Sequence, residues 1–250
     1  MYRPTGLCWL HGGRQWVQRQ AQDQFVVEAR RCGYVARSAF KLQEIDDKFG
    51  LFSRAQTHAV VDIGCSPGSW LQVIRERCSE NCALFGVDIL RVAPSVTDAV
   101  CIQGDFTSVA VQQELLKRMT SVRAAGNISV VTSDMCLNRG SGDTSDRQKQ
   151  EALNRAALAF ALAQLLPGGH FVCKVLGAPT AYKELRYEAQ QWFGQVAICK
   201  PKSSRRESDE AFMVCKFKRD GPRSEHMLGT TSGQFGLDDW PGFQRGKGRR

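Results

Sequence analysis

The sequence has no apolar run approaching the roughly 20 residues of a membrane-spanning helix, and no internal repeat. It also lacks G-x-G-x-x-G, the glycine pattern that lets a strand-to-helix turn receive a pyrophosphate. Membrane insertion and nicotinamide-dependent dehydrogenase chemistry are therefore not expected. Among the ten cysteines, the Cys78 and Cys82 pair has no second Cys or His pair to complete a zinc site. Cys101, Cys173, Cys199 and Cys215 sit inside apolar runs, where cysteine behaves as a small hydrophobe. A reducing compartment and no metal centre are the expectation.

Acid is missing from the first 22 residues, MYRPTGLCWLHGGRQWVQRQAQ, which carry Arg3, Arg14 and Arg19. This segment reads either as a mitochondrial transit segment, although poor in serine, or as a basic extension that touches RNA. Over the whole chain 34 Lys and Arg face 25 Asp and Glu, a formal charge of +9 that favours a polyanionic partner, most often nucleic acid. Residues 219–250 are rich in Gly and polar residues and end with four basic residues in the last six. They read as a flexible basic tail, with Trp240 and Phe243 as anchors for a partner. Between these ends, residues 23–218 have the length and apolar content for one substantial core.

In that middle region short apolar runs alternate with helical patterns. Strands are predicted at 58–64, 83–88, 99–105, 128–134, 170–175, 195–200 and 211–217, with helices at 69–78, 110–119, 146–166 and 180–193. Near-continuous apolar strands point to a sheet covered on both faces, and the alternation to an open, mostly parallel α/β sheet of seven strands. The amphipathic stretch ARSAFKLQEIDDKFGLF places Phe40, Ile45 and Phe49 near helical spacing, for packing at the sheet edge.

In such sheets ligands bind outside the carboxyl ends of the strands. Asp88, Asp105 and Asp134 close their strands there, and Asp62 lies just inside its own. The first strand runs into DIGCSPGSW, a tight turn with Gly64 and Gly68 that suits a ligand carrying adenosine and a small carboxylate, such as S-adenosylmethionine (SAM). Asp88 is then placed for the ribose hydroxyls and Asp105 for the adenine amino group. Lys174 is the oddity, a cation within the apolar strand GHFVCKVLG, where it must reach solvent, find a partner or give up its proton.

The ordered set RSAFKL (37–42), DIGCSPGSW (62–70), GVDIL (86–90), QGDF (103–106), SDMCLN (133–138), LLPGGHFVCKV (165–175) and KPKSSRRESDEAFMV (200–214) resembles the FtsJ/RrmJ family of RNA 2′-O-ribose methyltransferases. The resemblance covers roughly residues 23–218. It implies a Rossmann-like SAM-dependent methyltransferase fold and a Lys-Asp-Lys-Glu catalytic set, here Lys41, Asp134, Lys174 and Glu210. It further implies SAM contacts at Gly68, Trp70, Asp88, Asp105 and Asp134.

For such chemistry a ribose 2′-hydroxyl must lose its proton, and a neutral lysine can take it. An ordinary lysine pKa of about 10.4 must fall for that, and burial together with the neighbouring Lys41 pushes Lys174 down. Asp134 and Glu210 work against this shift, which suits them to orientation and to holding Lys41. Arg37 and KPKSSRR (200–206) offer a basic rim for RNA phosphates. Two departures stand out: Cys136-Leu137 replace the family's usual Ala-Pro, with Asn138 retained, and Cys65-Ser66 stand where small alanines are common.

The implied substrate is a uridine in the A loop of large-subunit rRNA, as in bacterial and mitochondrial members. With the acid-free N-terminus this favours the mitochondrial matrix and a role in large-subunit biogenesis, with ribosome assembly factors met through the terminal extensions. KPKSSR followed by EAFMVC resembles instead the tRNA anticodon-loop members. A catalytically weak RNA-binding assembly factor that keeps the fold is the alternative from another class.

Overall fold

The computed structural model describes residues 23–136 and 144–222. The expected roles of Arg3, Arg14, Arg19, Leu137, Asn138, Trp240 and Phe243 lie outside the described residues.

Among the described residues seven strands form one sheet. They are β1 (Ala59–Ile63), β2 (Ala83–Asp88), β3 (Val100–Gln103), β4 (Ile128–Ser133), β5 (Leu165–Leu176), β6 (Phe193–Cys199) and β7 (Glu210–Lys218). Their order across the sheet is β3-β2-β1-β4-β5-β7-β6. β1 to β5 run parallel, and β7 inserts antiparallel between β5 and β6. The sequence reading of an α/β, mostly parallel sheet therefore holds. The predicted fifth strand begins earlier than expected, at Leu165, with a register irregularity opposite Ile128 and Val130. That start absorbs the end of the helix expected to reach residue 166.

Among the described residues six helices cover the sheet. α1 (Gln24–Arg31), α2 (Ala39–Phe49) and α3 (Ser69–Arg77) pack on one face through Ala29, Leu42, Ile45, Leu71, Val73 and Ile74. α4 (Val109–Ser121), α5 (Thr144–Gln164) and α6 (Lys183–Trp192) pack on the other through Leu115, Met119, Phe160, Ala161, Leu185 and Ala189. A 3-10 turn at Pro179–Tyr182 leads into α6, at the front of the helix predicted from residue 180.

α1 was not predicted. Its signals are weak but physical: Asp23 caps it by accepting from the Phe25 N–H, and Arg30 and Arg31 occupy the last turn, opposite the partial negative charge of the helix end. α2 does more than cover an edge, since Leu42 and Ile45 are fully buried against the sheet face. No described helix is long and apolar enough to cross a membrane.

At the centre of the second face Phe160 is fully buried and meets Phe106 edge-on, with ring centroids 5.4 Å apart. Truncating such an aromatic removes its transfer free energy and leaves a cavity. Phe160→Ala is expected to lower unfolding free energy by about 3–5 kcal/mol, read from the midpoint of urea denaturation at unchanged slope.

Candidate active site

The order of the sheet reverses between β1 and β4, and at that switch point two loops meet. The Asp134 N–H donates to the Ile63 carbonyl at 3.1 Å, joining the loop after β4 to the end of β1. Gly64 sits opposite, at φ +79°, where a Cβ would lie 2.8 Å from the Met135 backbone nitrogen. Only glycine combines that left-handed backbone with so close a neighbour. The Gly64 N–H donates to the Val87 carbonyl at 2.7 Å, so the same turn is also fastened to β2.

The loop ends at Gly68, the N-cap of α3, leaving the first-turn N–H groups of that helix facing the carboxyl edge of the sheet. Asp88, at the end of β2, accepts from the Ser66 N–H at 2.9 Å and from the Leu90 N–H at 2.8 Å. Burial raises its pKa above the ordinary carboxylate value, against the pull of those N–H groups. Ile89 and Leu90 beside it are exposed apolar side chains, and Asp105 is an exposed carboxylate at the turn after β3. Asp105 Oδ1 also accepts from the N–H and hydroxyl of Thr107. A glycine turn, helix N–H groups, two carboxylates and an apolar step fit an adenosine carrying a small carboxylate. Ile89 and Leu90 were not singled out from sequence, although they directly follow the Gly-Val-Asp of their strand.

Trp70 stands apart from this edge. Its indole is buried, tilted on Phe212 with ring centroids 5.6 Å apart, and its Nε1–H donates to the Ser38 carbonyl at 2.9 Å. The side chain therefore packs the core, and only its backbone N–H, in the first turn of α3, stands at the expected site.

Beside this edge lie two lysine–carboxylate pairs. Lys174, in β5, pairs with Asp134 at 2.5 Å and also donates to the Asp134 carbonyl at 3.0 Å. Lys41, in the first turn of α2, pairs with Glu210, the first residue of β7, at 2.5 Å. In the β5–β7 register Lys174 faces Phe212 and Leu176 faces Glu210, so period-two alternation sends Lys174 and Glu210 to the same sheet face, the one that α2 covers. All four side chains are between 8% and 18% exposed.

Electrostatics decide how the lysine in the apolar strand survives. Burial pulls the Lys174 ammonium down, but Asp134, aided by Cys136 and Glu210, outweighs it and holds the group above an ordinary lysine. The expected depression is thus overturned by the ion pair, and Lys174 carries its proton in the ligand-free protein. Burial would likewise raise Glu210, and the Lys41 and Lys174 cations reverse this to hold it below the usual carboxylate range.

Of the expected basic rim, Arg37 is committed elsewhere. It pairs with Asp23, donates to the Ser203 carbonyl and lies over the Phe25 ring. Its guanidinium therefore ties α1 to the loop between β6 and β7. Glu44 fastens the same loop, accepting from the N–H groups of Lys202 and Ser203 at 2.5 and 2.8 Å. Within KPKSSRR, the side chains of Lys202 and Arg206 remain exposed. Among the described residues no cluster of three or more His, Cys, Asp or Glu is arranged to hold a metal.

The switch-point crevice, glycine turn and row of strand-end carboxylates are those of an α/β methyltransferase. The chain belongs to the FtsJ-like methyltransferase family, whose sequence pattern matches residues 34–218. Two similar relatives are named ribosomal RNA large subunit methyltransferase E. The protein from Granulibacter bethesdensis is 39% identical over 83% of this chain and 86% of its own. That from Caulobacter vibrioides is 39% identical over 80% and 83%. A solved structure of a ribosomal RNA methyltransferase from Plasmodium falciparum superposes with a TM-score of 0.62 at 28% identity, covering 74% of this chain and 98% of that one.

One buried acid belongs to no pair. Asp62, within β1, is fully buried; its Oδ1 accepts from the Thr132 hydroxyl at 2.7 Å, and Oδ2 has no hydrogen-bond partner among the described residues. Burial pushes its pKa from an ordinary 3.8 up to about 8. Between those values the folded protein holds a proton that the unfolded chain has released, so stability falls as pH rises from about 4 to about 8. Asp62→Asn, a neutral isostere, is expected to flatten that fall. Urea unfolding at pH 5 and pH 8 should show the variant gaining on the wild type by up to about 1.4 kcal/mol per pH unit.

Proposed function

We propose that the protein methylates a ribose 2′-hydroxyl of RNA with SAM as donor, and that Lys41, Asp134, Lys174 and Glu210 form its catalytic set. The observation that carries this reading is the convergence of the two lysine–carboxylate pairs beside the cofactor edge. Gly64, Gly68, the Trp70 N–H, Asp88 and Asp105 would hold SAM, with Asp134 at the boundary between the two halves. When bound, SAM supplies a methyl group already activated by its sulfonium.

Lys174 Nζ takes the proton of the attacking hydroxyl. Asp134 orients that amine, and the strength of its pairing sets the fraction of Lys174 free to act as base. Glu210 holds Lys41, whose charge favours oxyanion character on the nucleophile and opposes protonation of Lys174. Positioning the hydroxyl in line with the methyl group supplies much of the remaining rate. Lys202 and Arg206 supply exposed positive charge for RNA phosphates.

The substrate best supported is large-subunit rRNA, because the relatives matching four-fifths of the chain are named for that substrate. More specifically, a uridine of the A loop in the mitochondrial ribosome fits the basic, acid-free N-terminus. Assembly factors are then the partners for the terminal extensions. Mapping 2′-O-methyl sites in mitochondrial rRNA and in tRNA after depletion tests this; loss confined to tRNA overturns the substrate assignment.

Lys174→Met is expected to lower kcat by about 10²–10⁴, the usual contribution of a general base, while SAM affinity stays within a few-fold. An active Lys174→Met enzyme would remove the base assignment. In the wild type, kcat should rise with pH into the alkaline range, because the paired Lys174 must lose its proton to act. Asp134→Asn should move that rise to lower pH while reducing the maximum rate, measured as a full pH profile of methyl transfer to rRNA.

A further inference from the structure

Cys65 and Cys101 come from distant parts of the sequence and meet across one glycine. Cys65 follows β1 within the glycine turn and is 3% exposed, whereas Cys101 is exposed on β3, the edge strand of the sheet. Between them runs β2, in which Gly86 stands directly opposite Cys101 in the register. A Cβ on Gly86 would lie 2.7 Å from the Cys65 sulfur and 3.2 Å from the Cys101 sulfur. Both thiols therefore crowd the space that a side chain at position 86 would take.

From this arrangement we infer that Cys65 and Cys101 are a redox-active thiol pair, oxidised by hydroperoxides to an intrachain disulfide that disables the cofactor turn. Cys101 is the attacking sulfur, being exposed. The neighbouring Cys65 thiol lowers the pKa of Cys101, while Cys65 itself is raised and stays the protonated partner. The Cys101 sulfur attacks one peroxide oxygen and breaks the O–O bond, giving a sulfenic acid and, with one proton, water or an alcohol. The Cys65 sulfur then displaces the sulfenic oxygen, which leaves as water with the Cys65 proton. Two thiols lose two electrons and two protons in all, and the peroxide is reduced.

A disulfide of about 2.0 Å draws the sulfurs far closer than two non-bonded thiols can lie. Cys65 lies in the turn that orders the site: its N–H reaches the Val87 carbonyl at 3.2 Å, and the next N–H, of Ser66, holds Asp88 at 2.9 Å. Drawing Cys65 toward the sheet edge displaces both contacts. This second half of the inference rests on the reading of the turn and Asp88 as the SAM site.

The test uses the full chain, reduced, freed of reductant and exposed to hydrogen peroxide under native conditions. Peptide mapping is expected to find Cys65 linked to Cys101, with two hydrogens lost. Calorimetry with SAM should show affinity reduced at least tenfold, and recovered on reduction with dithiothreitol. Cys101→Ser and, separately, Cys65→Ala should keep their SAM affinity through the same treatment. The pair is overturned if Cys65 and Cys101 both stay alkylatable while the exposed Cys32 and Cys136 oxidise. A linked protein that binds SAM undiminished overturns the effect on the turn. Failure of the reduced wild type to bind SAM sinks the cofactor reading instead, and the linked peptide still decides whether the pair exists.

Discussion

Charge neutralisation in a half-buried place is the constraint on which this site depends. Lys41 and Lys174 stand on one face of the sheet with little solvent, and neither could stay there alone as a cation. Asp134 and Glu210 answer them one to one, each pair 2.5 Å apart. Because α2, the loop after β4, β5 and β7 contribute one member each, the four charges also specify how these elements sit together. Breaking a pair by truncating one partner leaves the other buried and uncompensated, so geometry and charge are preserved together.

The same pairing carries the tension in the chemistry. On the proposed mechanism, the lysine that takes the proton is held by a carboxylate that favours its charged form. Burial pulls in the opposite direction, so protonation of Lys174 rests on the balance between burial and the Asp134 charge. Changes around Asp134 therefore bear directly on that balance. Met135 and Cys136, which immediately follow it, are well placed to make such changes: the Met135 backbone packs on Gly64, and the Cys136 side chain adds to the field on Lys174.

Much of this was legible in the sequence. All seven strands were marked by apolar runs, and the strand-end aspartates pointed to the carboxyl edge before any pairing was known. The α/β class followed from alternation, and the four candidate catalytic residues from ordered motifs. What could not be read was contact. Nothing local in AFMVCKF says that β7 slots antiparallel between β5 and β6, since strand propensity carries no partner. Likewise α1 was missed because its cap and last-turn charges are weak signals beside a basic, helix-neutral lead-in. Trp70 and Arg37 looked like site residues by position, yet the structure uses one as core and the other as a clasp on Asp23 and Ser203. For such residues the side chain's direction decides, and sequence spacing does not contain it.

The insertion of β7 has a consequence for how the enzyme comes into being. Lys41 is made early and Glu210 almost last, and the strand that begins with Glu210 must wedge between two strands already synthesised. A nascent chain emerging as far as β6 has its glycine turn and Asp88 in hand but lacks the counter-ion for Lys41. Completion of the second lysine–carboxylate pair thus waits for the end of the domain, so a chain interrupted before β7 is left with an open gap beside β5 and an unmatched positive charge, which distinguishes it from a finished molecule.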